Sequence, residues 1–225
     1  NTDIYFSRSL YTSLPFLKGN YKFIYEAHQI PNNSFVKYLM TKIINSKNLI
    51  LFVVISNKLK EYYLKHFDIK EKKIIVLHDS ADNSDNIIPV DIKGEINKLK
   101  VGYIGQLYSG KGMKIIKELS EKTNSKLFEF HVVGGYEKKV KYWRNKINSN
   151  NVYFYGYVPY NLTKSYRQKF DILIAPYFKE SNSIYKWQSP LKIFEYMSSK
   201  KPIICSDFEV FNEMLTHNYN ALLCD

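Results

Sequence analysis

Short apolar runs of strand length recur along this chain, each followed by a stretch with helical spacing. That alternation limits the possible folds more than any other feature. Asp3 to Phe6, Lys22 to Glu26 (KFIYE), Ile50 to Ile55 and Lys73 to Leu77 (KIIVL) read as strands. Asn33 or Ser34 caps a helix carrying Phe35, Leu39, Ile43 and Ile44, and Ser56 or Asn57 caps another that runs to about His66. Ile50 to Ile55 is apolar throughout, as expected of a strand covered on both faces of a parallel sheet. A β-α-β-α-β order of this kind predicts an α/β fold with a doubly wound parallel sheet. With 45% apolar and 16% aromatic residues, the 225-residue chain has material for real cores.

The polar stretch Asp79 to Lys98, with Pro89 and Gly94, reads as a linker. The expected domains are therefore 1–97, a partial first unit with its linker, and 98–225, a nearly complete second unit. In the second unit, strands are expected at 101–104, 127–133, 152–155, 171–175, 203–205 and 221–224. Helices are expected after Gly112, over 136–147 and 162–169, from Ser189, and over 209–215. The chain opens on Asn1 in a strand-like run and ends just after another, so a fragment of a longer protein is expected.

The net charge of +12 raises three possibilities: nucleic acid, an anionic membrane surface, or phosphorylated substrates. Only Arg8, Arg144 and Arg167 are arginines. Base reading and bidentate phosphate clamping favour Arg, so this charge reads as general basicity and not as a nucleic-acid footprint. Cys205 and Cys224 have no metal-ligand spacing and form no disulfide scaffold, which fits a reducing cytoplasm. The longest apolar run, Leu49 to Ile55, falls far short of the ~20 residues needed to span a bilayer.

Two stretches carry chemistry. In VGYIGQLYSGKG, Gly105, Gly110 and Gly112 let the backbone approach a ligand closely, with Gln106 and Lys111 among them. On residues alone, Lys111 reads as a solvated lysine in a glycine turn rather than as a phosphate ligand. In SPLKIFEYMSSKKPIICSD, Ser189 reads as an N-cap and Pro190 as the first helical residue. Leu191, Phe194 and Met197 form the expected apolar face. The N–H groups of Leu191 and Lys192 open the helix, and a helix start is an anion site. Glu195, about a turn and a half further in, is either a ligand-facing or a plain surface carboxylate.

In order, these motifs with FHVVGG, VYFYGYVP and DILIAPY resemble the nucleotide-binding half of the GT-B glycosyltransferases, family 4, the retaining enzymes. The resemblance runs from about Lys100 to the C-terminus, with a weaker continuation back to Asp3. It implies two Rossmann-like units, the first incomplete. It further implies that Lys111 neutralises a donor diphosphate and that Glu195 bonds the ribose hydroxyls. Tyr157 and Val158 would border the base, and His28 would reach the transferred sugar. Two positions depart from the family pattern: Gln106 stands where an Arg is usual, and Trp187 where the first of two Glu residues is usual. The expected co-substrate is a nucleotide-diphosphate sugar, without metal or other cofactor. The expected acceptor is a sugar or lipid-linked hydroxyl, at the cytoplasmic face of an anionic membrane. The alternatives are a non-catalytic nucleotide-sugar binder and a basic membrane-surface module, with no nucleic-acid partner.

Overall fold

The computed structural model describes residues 3–82, 87–108, 111–178 and 186–225. Chain contacts divide them into two compact units, each an α/β Rossmann-like layer structure. The first holds residues 3–79, 186–189 and Phe208–Glu213. The division falls at Asp79, well before residue 97, because the intervening stretch is tied to the second unit. Ile88 N–H donates to Ser165 Oγ at 3.0 Å, and Lys93 N–H to the Tyr155 hydroxyl at 2.9 Å.

In the first unit, β1 (Ile4–Ser7), β2 (Lys22–Ala27), β3 (Leu49–Val54) and β4 (Ile74–Val76) lie side by side in chain order, all parallel. A short helix α1 (Leu10–Ser13) follows β1, and α2 (Ser34–Ile44) and α3 (Asn57–His66) cross between the later strands. Phe23, Tyr25 and Ala27 alternate inward along β2, and most of β3 is buried. Asn33 and Ser56 cap α2 and α3, accepting the N–H groups of Val36 and Leu59. The start of α3 has a second cap from far along the chain. Glu213 accepts the N–H of Asn57 at 2.7 Å and of Lys58 at 3.1 Å. The stretch that supplies it is a single 3-10 turn, Phe211–Glu213, and not the helix expected over 209–215. Phe211 is buried beside Phe208, and the carboxylate two residues on is directed to α3.

The second unit holds β5 (Leu99–Ile104), α4 (Met113–Lys122), β6 (Phe128–Val133), α5 (Glu137–Lys146), β7 (Val152–Gly156), α6 (Tyr160–Lys169), β8 (Ile172–Ala175), α7 (Leu191–Ser198), β9 (Ile203–Ser206) and β10 (Leu222–Cys224). The sheet is parallel, in the order β10-β9-β8-β5-β6-β7. The order reverses between β5 and β8, which marks the crevice where ligands of such sheets bind, at the carboxyl ends of the strands. One core layer packs Tyr103, Ile116, Phe130, Val132, Trp143 and Phe154 between the sheet and its helices. On the other face, Gly102 leaves room for Phe170, whose ring would stand 2.0 Å from a Cβ there. Among the described residues, no helix is long and apolar enough to cross a membrane.

The start of α7 differs from the expected cap. The Ser189 hydroxyl accepts the Asp79 N–H at 3.0 Å, Pro190 takes the N-cap position, and no side chain caps the helix. The buried face also differs: Ile193 and Tyr196 are fully buried, whereas Leu191 is 55% exposed and Met197 38%. The helix is rotated so that the Tyr196 phenol reaches between two strands.

Candidate functional site

β5 and β8 pair only at Val101 with Ile172 and Gly102 with Leu173. Beyond that they part, leaving buried ladder groups that need partners. Tyr196 supplies them. Its hydroxyl accepts the Ile104 N–H at 3.0 Å and donates to the Ile174 carbonyl at 3.3 Å. A helix residue thus wedges the switch point open and holds α7 against it. Burial pushes the phenol's pKa upward, so it remains a donor.

Gly105 follows β5 directly, at φ +154°. A Cβ at this position would sit 2.9 Å from Lys192 Nζ and 3.2 Å from the Tyr103 hydroxyl. That hydroxyl donates to the Gln106 carbonyl at 2.7 Å, which fixes the turn. Gln106 itself is exposed. Gly112 opens α4 at φ +84°, where a Cβ would meet the Pro176 carbonyl oxygen at 2.0 Å. The loop leading into α4 therefore lies against the exit of β8. Gly110 lies outside the described residues.

Lys111 and Lys192 reach the same aromatic ring. Their ammonium groups stand 5.8 and 5.6 Å from the Tyr177 centroid, and Lys192 Nζ lies 3.9 Å over Tyr103. Burial, and then the neighbouring Lys111, push the Lys192 pKa down to about 7. One turn along α7, Glu195 is nearly buried, with Arg167 Nη1 at 3.4 Å. Arg167 also donates to Ser199 Oγ at 3.0 Å and Thr163 Oγ1 at 3.2 Å. Tyr160 bonds the same carboxylate, which raises the phenol's pKa after burial has done so. Glu195 is thus held in one orientation by α6.

The structure therefore brings Gly105, Gln106, Lys111, Pro190, Leu191, Lys192 and Glu195 to the carboxyl end of one sheet. Tyr157 and Val158 follow β7, and Tyr157 is 65% exposed with its ring parallel to Tyr136 at 6.3 Å. Ser189 and His28 belong to the first unit. There His28 Nε2 bonds Glu26, and its Nδ1 lies 3.5 Å from Arg8 Nη2, on a cavity of about 320 Å³. Trp187 is also in the first unit, edge-on to Tyr62 at 5.3 Å, with its carbonyl accepting from Ser56 Oγ. Sequence reasoning missed Tyr196, Tyr160, Arg167 and the placement of the Lys192 side chain over Tyr103. Arg167 left a trace, being one of three arginines in a lysine-rich chain. Among the described residues, no cluster of His, Cys, Asp or Glu is arranged to hold a metal ion.

Residues 98–225 match the family model described as glycosyl transferases group 1. Solved structures with the same fold include HepE from Anabaena in complex with UDP and glucose, at 14% identity and TM-score 0.70, covering 99% of this chain and 64% of that one. The lipopolysaccharide outer core galactosyltransferase WaaB, in its apo form, matches at 16% identity and TM-score 0.68, covering 99% and 61%. Sucrose-phosphate synthase from Thermosynechococcus elongatus matches at 13% and 0.71, covering 98% and 60%. The chain thus spans about three fifths of the length of these structures. No curated protein sequence matches it significantly. With more than half of its length matched by the family model, on a sheet of GT-B type, the chain belongs to the group 1 glycosyl transferases.

Proposed function

We propose that this chain supplies the donor site, and part of the acceptor-side unit, of a transferase that moves a sugar from a nucleoside-diphosphate sugar to an acceptor hydroxyl with retention. The observation that carries the reading is the convergence of Lys111 and Lys192 beside Gly105, with Glu195 held one helical turn away. A diphosphate needs cations and close backbone approach; a ribose needs a fixed acceptor for its two hydroxyls. Lys111, Lys192, Gly105 and Glu195 are the candidates for these roles at one switch point.

In the reaction, the bond from the anomeric carbon to the diphosphate oxygen breaks, leaving an oxocarbenium-like sugar. The acceptor oxygen forms its bond on the same face, and its proton passes to the leaving phosphate. Lys111 and the opening N–H groups of α7 stabilise the charge that builds on that phosphate. Glu195 orients the nucleoside, and Tyr157 and Val158 border the base. In the first unit, His28, fixed by Glu26, is the candidate for a sugar contact. No metal is required by these groups. UDP is the first candidate nucleotide, because HepE is a UDP-bound relative in fold.

The galactosyltransferase WaaB, also similar in fold, makes surface polysaccharide or glycolipid assembly the favoured setting. A lipid-linked acceptor would place the enzyme at the cytoplasmic face of the membrane, where the +12 charge favours anionic lipid. A second reading, a binder without turnover, is favoured by Trp187, which packs in the first unit where the family pattern has a Glu. Calorimetry with UDP and GDP tests the first reading. Binding of either, weakened at least tenfold by Glu195→Ala, supports it; no binding at about 1 mM overturns it. Donor hydrolysis lost in the same variant removes the second reading.

A further inference from the structure

The Lys192 ammonium lies beside the Gly105 backbone, over the Tyr103 ring and near a second lysine. Among the described residues, no carboxylate stands within ion-pair distance of it. The charged and titratable groups that face it are Lys111 from the loop before α4, Tyr103 on β5, Tyr177 after β8, Cys205 on β9, and Glu195 on its own helix. Lys111 opposes its charge, while Cys205 and Glu195 favour it only weakly.

We infer that the Lys192 side chain is a second counter-charge for the diphosphate, and that its protonation and the binding of the phosphates favour each other. This rests on the donor-site reading above and extends it. Two ammonium groups converging on one ring repel each other, and Lys192 is in addition partly desolvated. An anion between them reverses both effects, so binding and protonation become linked. The pKa near 7 in the absence of ligand has the direction this linkage requires. Lys111 is the standing cation of the site, and Lys192 acquires its full charge only when the ligand is present. The proton taken up comes from solvent and stays on Nζ until the nucleotide leaves.

UDP is the probe. Calorimetry at about pH 8.5, in two buffers of different ionisation enthalpy, reads the protons exchanged on binding; the UDP phosphate, with a pKa of about 6, is already fully ionised there. The expected result is uptake of close to one proton per UDP, with affinity falling as pH rises above 7 by up to about tenfold per unit. Lys192→Met should abolish the uptake and weaken binding at neutral pH. Lys192→Arg, which keeps a permanent charge, should bind at high pH without uptake. UDP binding with no proton exchanged, or uptake that persists in Lys192→Met, overturns this inference and leaves the donor-site reading intact. Failure of the wild-type protein to bind UDP or GDP at all overturns that reading and this inference with it.

Discussion

Glu129 and His131, towards the amino end of β6, and Lys111 and Lys192, at the carboxyl end of the neighbouring β5, belong to the same sheet but have different surroundings. Glu129 is fully buried and accepts the Glu95 N–H with both oxygens, at 3.0 and 3.2 Å, with Lys98 Nζ at 4.0 Å. His131 Nδ1 bonds the Tyr155 hydroxyl at 2.9 Å, and its ring stacks on Tyr153 and Phe170. This network fastens the stretch between the units to the sheet. Gly94 lies so close that a Cβ would stand 2.0 Å from the Glu129 carboxylate. At the other end the Lys111 and Lys192 ammonium groups approach one ring, and among the described residues no acid pairs with Lys192. A buried carboxyl with partners holds a structure together; cations brought close to one another favour an anion.

The strongest test of that contrast removes Glu129. Glu129→Ala leaves the Glu95 N–H and Lys98 without their buried acceptor, and is expected to cost about 3–4 kcal/mol of stability. Nucleotide affinity should hardly change, since the residue is at the wrong end of the sheet. Thermal scans and UDP titration read the two effects separately. An intact melting temperature would show that the network does not carry the load assigned to it.

Slightly smaller is the pH effect at the same end. Burial pushes the His131 pKa down to about 4 from an ordinary 6.5, with Lys100 adding to the fall. The unfolded chain therefore binds this proton first as pH drops. Stability is full above about 6.5 and declines towards 4, by on the order of 3 kcal/mol in all. His131→Phe should flatten that part of the curve, at the cost of the Tyr155 bond. An unchanged acid limb would place the titrating group elsewhere.

Tyr196→Phe comes next, at about 2 kcal/mol, because the Ile104 N–H and the Ile174 carbonyl lose their common partner. This variant also bears on the site, since the phenol holds α7 at the parting strands. Amide exchange at Ile104 should accelerate while exchange at the paired Gly102 does not. Equal protection at both would mean that the parting strands do not depend on the phenol.

That residue also marks where sequence reasoning stops. The strands and their parallel order were legible, because apolar runs of strand length have few other uses when helices alternate with them. That Gly105, Lys111 and Glu195 would come to one end of the second sheet was legible through their order along the chain. The face of α7 was not. Leu191, Phe194 and Met197 fit a helical stripe as well as Ile193 and Tyr196 do, and only the gap between β5 and β8 decides between them. Ser189 fits an N-cap perfectly well by local rules, yet its hydroxyl goes to the Asp79 N–H, a partner 110 positions away. The Glu213 cap on α3 was hidden for the same reason. Long-range hydrogen bonds leave no periodic trace, and they set the details of this site.

The last expected effect has the opposite sign. Lys192→Met should raise the melting temperature at pH 7 in the absence of ligand, because it removes a desolvated charge that Lys111 repels, less the attraction to the Tyr103 ring. The pKa shift fixes how the gain varies with pH. A lysine whose folded pKa lies near 7 and whose unfolded pKa is near 10.4 costs the folded state stability below 7. That cost shrinks as pH rises from 7 towards 10, so wild type and variant should converge there. Saturating UDP should reverse their order at pH 7, since the ligand binds more tightly to, and so stabilises more, the form with the ammonium to receive it. If instead Lys192→Met melts lower than wild type without ligand, the lysine is already compensated by protein. The carboxyl end of β5 would then be built on the same terms as the amino end of β6.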